Sequence, residues 1–362
     1  MRKRFLSIAM AASFAMLFNA QQIKFEEYDL PNGLHVILHQ DNSAPVVTTS
    51  VMYHVGAKDE AAGRTGFAHF FEHLLFEGTK NIKRGEWFKI VSANGGSNNA
   101  NTDPDRTYYY ETFPSNNEQL GLWMEAERLR HPVINQIGVD TQREVVKEEK
   151  RLRMDNQPYG GLFNAILTTL FKKHPYKGTV IGSMEDLNSA KLEEFNAFFK
   201  KYYIPNNATL VVAGDIKPEQ TKKWINEYFG SIPKGTPVTR NFPKETPITQ
   251  EFEETVYDVN IQIPAYIFAY RTPAAKERDA YILSMLGSYL SKGKSSVLYK
   301  KLVDNEKKAL AVEAFNLGLV DHSIFAFFAI PMGNTSKDVL KKDIDAEIKK
   351  LQTDLISEED YQ

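Results

Sequence analysis

Hydrophobic and polar positions alternate from the start of the readable pattern. Lys24 to Leu30 and Leu34 to Leu38 alternate with period two around Pro31-Asn32-Gly33, which predicts a hairpin. Val46 to Val55 is rich in β-branched residues and predicts a further strand. After Gly63-Arg64-Thr65-Gly66 the pattern changes. The run from Gly66 to Gly78 is apolar almost all round, at Phe67, Phe70, Phe71, Leu74, Leu75 and Phe76, which predicts a short buried helix. Gly85 to Ala93 predicts a second helix, Ser97 to Thr102 a polar segment, and Tyr108 to Phe113 a strand. Asn116 to Arg130 predicts an amphipathic helix carried by Leu120, Leu122, Trp123 and Leu129. Gly138 to Asp155 predicts another, with Val145, Val146 and Leu152 as its apolar stripe. Helices over Gly161 to Lys173, Lys191 to Tyr203 and Pro218 to Phe229, with a strand over Ala208 to Ala213, complete this part. Residues 232–250 carry Pro233, Pro237, Pro243 and Pro247 with little periodicity and read as a linker.

Beyond the linker the pattern returns at a constant offset of 217 residues. Val51-Met52-Tyr53-His54 corresponds to Phe268-Ala269-Tyr270-Arg271, and Tyr110 to Pro114 corresponds to Phe327 to Pro331. Ser336 to Thr353 repeats the helix of Asn116 to Arg130. Two anchors at one offset predict an α+β fold of two tandem homologous halves, over residues 21–231 and 251–362. Ile356-Ser357-Glu358-Glu359-Asp360 reads as the start of the helix that matches Gly138 to Asp155. The second half is therefore expected to be truncated at its C-terminus, and the chain to be a fragment.

The chemistry concentrates in His69-Phe70-Phe71-Glu72-His73. On a helix His69 and His73 leave the same face one turn apart, so two nitrogens reach one tetrahedral zinc ion. Glu72, beside them, is placed to take a proton from water activated there. This residue order is the reverse of His-Glu-x-x-His. Two histidines at this spacing also occur as an ordinary satisfied pair, but a carboxylate packed beside two imidazoles in a buried helix calls for a cation. On the later helix, Glu149 falls at 100° per residue between Val145 and Leu152, in the middle of the apolar stripe. A carboxylate there needs a partner. Either a nearby arginine or the same zinc would serve. Two histidines and one glutamate, with water in the fourth place, form a catalytic coordination set. Gln142, two turns before Glu149, faces the same way. His35, His39 and His54 fall in strands and read as surface or satisfied core histidines. At the offset of 217, His69, Glu72 and His73 map onto Leu286, Tyr289 and Leu290, so the second half holds no such site.

Composition narrows the classes. The chain has 362 residues, 42% of them hydrophobic, enough for two cores. A formal charge of −2 gives no reason to expect nucleic acid. With no cysteine, disulfides, a thiolate zinc site, a cysteine nucleophile and a lipobox are excluded. Residues 1–20 read as a secretory signal: Arg2-Lys3-Arg4, an apolar run from Phe5 to Phe18, and a cut after Asn19-Ala20. Its removal leaves the mature chain at about −5. The apolar run is too short to favour a membrane span. The expected location is exported, in the periplasm or beyond.

With His69-Phe70-Phe71-Glu72-His73, Glu149 placed 76 residues after His73, and two tandem halves, the chain resembles the pitrilysin/insulinase family of zinc metallopeptidases. It looks most like the short bacterial members and the mitochondrial processing peptidases, from about Ile23 to Gln362. The resemblance implies one zinc per chain, ligated by His69, His73 and Glu149, with Glu72 as general base. It implies that Asn98-Asn99-Ala100-Asn101-Thr102 is an edge strand to which substrate adds as another strand, with Asn99 and Ala100 as the binding positions. Gln142 stands where the family often has a second glutamate, and is expected to orient the ligands by hydrogen bonding. The family's silent half usually offers an arginine and a tyrosine to the substrate carbonyl, and here the matching positions are Val303 and Val312. That departure implies a homologous partner subunit, in a heterodimer or a homodimer. The expected substrates are peptides or unfolded protein segments. The alternatives are a non-catalytic exported subunit that binds peptides or stabilises a partner, and a structural zinc site without turnover.

Overall fold

The structure is a computed structural model and describes residues 23–361; the predicted signal over residues 1–20 lies outside them. Six strands form the first sheet: β1 (Glu26–Asp29), β2 (His35–Gln40), β3 (Val46–Tyr53), β4 (Ser97–Thr102), β5 (Thr107–Pro114) and β6 (Ala208–Gly214). Their order is β1-β2-β6-β3-β5-β4. Only the β2–β6 pair is parallel, from His35 opposite Thr209 to Gln40 opposite Gly214. The predicted hairpin is β1–β2, with Glu26 opposite Leu38 and Asp29 opposite His35. The buried side chain of Asn32 holds its turn, donating to the carbonyls of Phe229 and Ile232 at 2.9 Å each.

Helices cover one face of this sheet. They are α1 (Phe67–Leu74), α2 (Trp87–Ala93), α3 (Glu118–Arg130), α4 (Gln136–Lys150), α5 (Leu162–Leu170), α6 (Met184–Ser189), α7 (Leu192–Tyr202) and α8 (Pro218–Phe229), of which α5 packs elsewhere. Val36, Val51 and Leu210 from the sheet meet Phe70, Phe71 and Leu74 of α1 and Phe195 of α7 in one continuous core. The rings of Phe67 and Phe195 stack at 4.6 Å, and those of Phe71 and Phe198 at 5.4 Å. Burial of Phe67, Phe71 and Phe195 contributes about 1.5–3 kcal/mol each, with Phe198 half-buried at the rim. α1 is therefore surrounded by apolar side chains on most of its circumference, as the pattern predicts.

The second sheet has the order β7-β9-β8, from β7 (Tyr266–Thr272), β8 (Ala309–Leu317) and β9 (Ser323–Pro331). This repeats the β3-β5-β4 arrangement of the first, and β9 lies at the offset of 217 from β5 almost residue for residue. On one face pack α9 (Arg278–Ser291), the irregular turns Tyr299–Asn305 and α10 (Lys337–Thr353), through Leu290, Leu302, Leu340 and Ile344. A short helix, α11 (Glu358–Tyr361), follows. The other face is covered from the first half. Ile166, Leu167 and Leu170 of α5, with Phe171, pack on Ile324 and Ala326 of β9. The predicted helix over Gly161 to Lys173 is thus shorter, and its apolar side serves the second core.

Two further differences concern the segments near Glu149 and the linker. The helix predicted over Gly138 to Asp155 is α4 followed by a π-helical turn, Arg151–Asp155, in which the N–H of Asn156 reaches back five residues to Arg151. Of the predicted stripe only Val146 is buried; Val145 and Leu152 are 43% and 55% exposed. The face that packs is Val139, Gln142, Val146 and Glu149, because α1 lies against that side. Between residues 233 and 265 the chain has neither helix nor strand. It is pinned all the same: one carboxylate oxygen of Glu245 accepts the N–H groups of Lys172, Lys173 and His174 at 2.5–2.8 Å.

Candidate metal centre

α1 is held at both ends and in the middle. At its start Gly66 has φ +91, and a Cβ there would lie 2.7 Å from the carbonyl oxygen of Ile181, so only glycine fits. The carboxylate of Glu60 accepts the N–H groups of Gly66 and Ala68 at 2.8 and 2.9 Å, satisfying donors that a helix start leaves open. Midway, the Tyr109 hydroxyl donates to the carbonyl of Phe71 at 2.8 Å. Past the last turn, Arg128 donates to the carbonyl of Leu75 at 3.0 Å. Arg128 is fully buried, paired with Glu111 and Glu125, and lies over the rings of Trp87, Tyr109 and Phe76 at 4.0, 4.2 and 4.5 Å.

On this rigid helix the rings of His69 and His73 stand 4.9 Å apart. α4 brings Glu149 to them. Its Oε2 lies 3.1 Å from Nε2 of His73 and 3.6 Å from Nε2 of His69. Arg153, on the π-helical turn, holds the other oxygen at 2.8 Å while remaining 76% exposed itself. The arginine partner and the histidine grouping therefore coexist, one on each carboxylate oxygen. Burial, then the neighbouring charge of His73, push His69 down to about 4, so its imidazole is neutral near pH 7. The hydrogen bond from His73 outweighs burial and holds Glu149 below the usual carboxylate range. Three donor atoms lie within 4.8 Å of one another, two from imidazoles and one from a carboxylate. Nitrogen and oxygen donors of this kind and number fit a tetrahedral cation such as zinc with one position left open. Among the described residues this is the one such group.

Glu72 lies on the same helix between the two histidines. Its Oε2 accepts a 2.6 Å bond from the hydroxyl of Thr102, the last residue of β4. Burial raises its pKa, and the Thr102 bond opposes that rise. Gln142 departs from its expected role. It is close in the fold, but its amide donates to Glu77 at 2.5 Å and its buried carbonyl oxygen has no partner, so it reaches none of His69, His73 and Glu149. Glu77 draws it because that carboxylate, also bonded to Arg84, sits just past the end of α1.

Asn99 and Ala100 lie on β4, an edge of the first sheet. Asp103 bonds across the hairpin to Arg106, so by ladder alternation Thr102, Ala100 and Asn98 present their backbone groups on the open edge. In keeping with this, the N–H of Ala100 is met by the side chain of its own neighbour Asn99 at 2.9 Å. Val312 is buried in β8 and Val303 packs on the same core, so neither position presents a polar group. His35, His39 and His54 bond Asp29, the carbonyl of Lys24 and Thr209. Sequence reasoning missed Thr102, Glu60 and Arg128, and expected an arginine at Glu149 without singling out Arg153. Only Arg153 had a local signal, four residues after Glu149.

Comparison with known proteins agrees with this architecture. Residues 35–183 match the family model described as Insulinase (Peptidase family M16), and residues 189–362 match the Peptidase M16 inactive domain. The zinc protease PqqE of Helicobacter pylori is 34% identical over 335 residues, covering 91% of this chain and 74% of that protein. The crystal structure of a protease from Helicobacter pylori superposes with a TM-score of 0.84 at 32% identity, over 94% of this chain and 82% of that one. The periplasmic protease PqqL from Escherichia coli shares the fold, with a TM-score of 0.75 at 20% identity, over 94% of this chain and 39% of that one. From the two matched domains and the relative at 34% identity, it follows that the chain belongs to the M16, or insulinase, family of peptidases.

Proposed function

We propose that the protein is a zinc-dependent endopeptidase acting on peptides or unfolded protein segments. The observation that carries this reading is the convergence of Nε2 of His69, Nε2 of His73 and Oε2 of Glu149 beside the carboxylate of Glu72. Zinc held by those three atoms would supply Lewis acidity, lowering the pKa of water and polarising a peptide carbonyl. The chain's own residues do the rest. The neutral His69 and ionised Glu149 keep the donor set available near pH 7. Glu72 takes the proton of the attacking water and returns it to the leaving nitrogen, so bond cleavage releases an amine rather than an amide anion. The open edge of β4 binds substrate backbone as an added strand, through the backbone of Ala100 rather than that of Asn99, which faces β5.

The same reading places the protein outside the cytoplasm. The basic and apolar residues 2–18 support it, as does the fold shared with PqqL, which is named as periplasmic. No described helix is long and apolar enough to cross a membrane. Two apolar residues, Val303 and Val312, favour a second reading in which the chain works with a homologous partner that completes the site.

Cleavage of a quenched random-peptide library by the mature protein, wild type beside Glu72→Gln, tests the proposal with zinc measured on both. Zinc in both and cleavage by wild type alone supports it. Absence of zinc from the wild type sinks the site. Zinc in both without cleavage, persisting when the homologous partner is added, leaves the peptide-binding subunit as the function.

A further inference from the structure

We propose that Thr102 is a positioning residue for Glu72, and that through it occupation of the β4 edge is coupled to alignment of the base. The inference rests on the peptidase reading and deepens it. Among the described residues, the Thr102 hydroxyl makes the only hydrogen bond to the Glu72 carboxylate, at 2.6 Å. It engages Oε2 and leaves Oε1 for a proton. Without it, nothing on the first sheet fixes the rotation of that carboxylate. Threonine is suited to this task because its branched Cβ restricts χ1, so the hydroxyl is aimed before Glu72 arrives.

The same residue closes β4. Its backbone N–H and C=O lie on the open edge with those of Ala100 and Asn98, so a strand added there bonds the backbone of the residue whose side chain holds the base. The hairpin carrying Thr102 is itself fixed. The N–H groups of Ala57 and Lys58 donate to the carbonyls of Asp103 and Pro104 at 3.2 and 3.0 Å. Lys58 pairs with Asp105 at 2.7 Å and with Asp321 of the second half at 2.8 Å. The N–H of Val320, also in the second half, donates to Asp105 at 2.8 Å. The hydroxyl of Thr102 therefore sits three residues from a point where both halves meet. A substrate strand orders one side of the hairpin, the second half orders its tip, and both act on Glu72 through one bond.

The test compares Thr102→Val and Thr102→Ser with wild type and Glu72→Gln. The zinc-loaded chain is assayed on a quenched peptide that wild type cleaves, with zinc content, melting temperature and peptide affinity of the zinc-depleted protein read alongside. Valine keeps the branched shape and the backbone edge but removes the donor. Expected for Thr102→Val is a kcat lower by about 10- to 100-fold with KM within about twofold. Zinc content and peptide affinity stay at the wild-type level, because Thr102 touches no ligand. Thr102→Ser recovers most of kcat. Wild-type kcat in Thr102→Val overturns the proposal. So does a serine variant as impaired as valine, and so does a loss confined to zinc content or peptide affinity. If wild type fails to cleave, or Glu72→Gln still cleaves, the peptidase reading itself has failed and this proposal falls with it.

Discussion

Replacing Arg128 by methionine removes the only cation from a buried cluster and tests what holds the helix that carries His69 and His73. Arg128, Glu111 and Glu125 have no exposed side-chain surface. Burial, then the charge of Glu125, push Glu111 well above the usual carboxylate range, and the one guanidinium is the counter-charge with which both carboxyl groups pair. Taking one partner from such a pair costs about 3–5 kcal/mol. The Leu75 carbonyl also loses its bond at 3.0 Å, which adds about 1–3 kcal/mol where nothing replaces it. Methionine fills part of the space and keeps contact with Trp87 and Tyr109, so the two costs do not sum fully. A loss of about 4 kcal/mol is expected. Urea unfolding of wild type and variant at pH 7 measures it. Arg128→Met combined with Glu111→Leu and Glu125→Leu should regain the part of the loss due to unpaired charge, since an apolar cluster needs no counter-charge, though the Leu75 carbonyl and the Trp87 N–H stay without their partners. A loss below about 1 kcal/mol, or a triple variant no better than the single one, would refute the argument that the cluster is stabilised by pairing.

Three other outcomes follow from the geometry. His73→Ala should abolish zinc binding and cleavage while leaving the far-ultraviolet spectrum unchanged, because His73 is partly exposed and its loss opens no core cavity; atomic absorption on the dialysed protein decides it. Gly66→Ala should lower stability by about 1–2 kcal/mol or more, since it combines φ +91 with a Cβ 2.7 Å from a backbone oxygen; thermal unfolding measures this. The contact between the halves should weaken in acid. His174, buried among Phe171, Tyr176 and Phe242 near Asp321, has its pKa lowered from 6.5, chiefly by burial. The unfolded chain thus binds more protons, so this contribution is complete above about pH 6.5 and is lost as pH falls through the folded value. Unfolding free energies of wild type and His174→Gln from pH 7.5 to 5 should converge toward acid; parallel curves would rule out His174 as the cause.

Much of the site is legible because its signals are local or periodic. The i, i+4 spacing of His69 and His73 needs only a helix, and the apolar residues around them announce one. Strand β9 could be placed from β5 because the repeat conserves both length and spacing. Glu149 was traced by a face that holds only in part: Val146 packs, whereas Val145 and Leu152 stay open beside the grouped donors. What escaped was tertiary. Thr102 meets Glu72 across 30 residues, and α5 leaves its own sheet to cover the next one. Gln142 bonds Glu77, 65 residues earlier. None of these pairings leaves a period in the sequence, since each depends on where a loop happens to return the chain.

The repeat has a consequence for how the two copies can change. At the position of His73 the second copy has Leu290, which is 2% exposed and packs against Leu298 and Phe327. Placing histidine there would bury an imidazole with no partner, at a cost of about 2 kcal/mol or more. A second and third substitution, at Leu286 and Tyr289, would still be needed before any ion rewarded the change. The second copy is thus separated from a donor set by its own core. The barrier stands at Leu290, since Leu286 and Tyr289 are only half-buried. With one such donor group among the described residues, α1 has no spare, so whatever loosens the residues that clamp that helix acts on the whole candidate site at once.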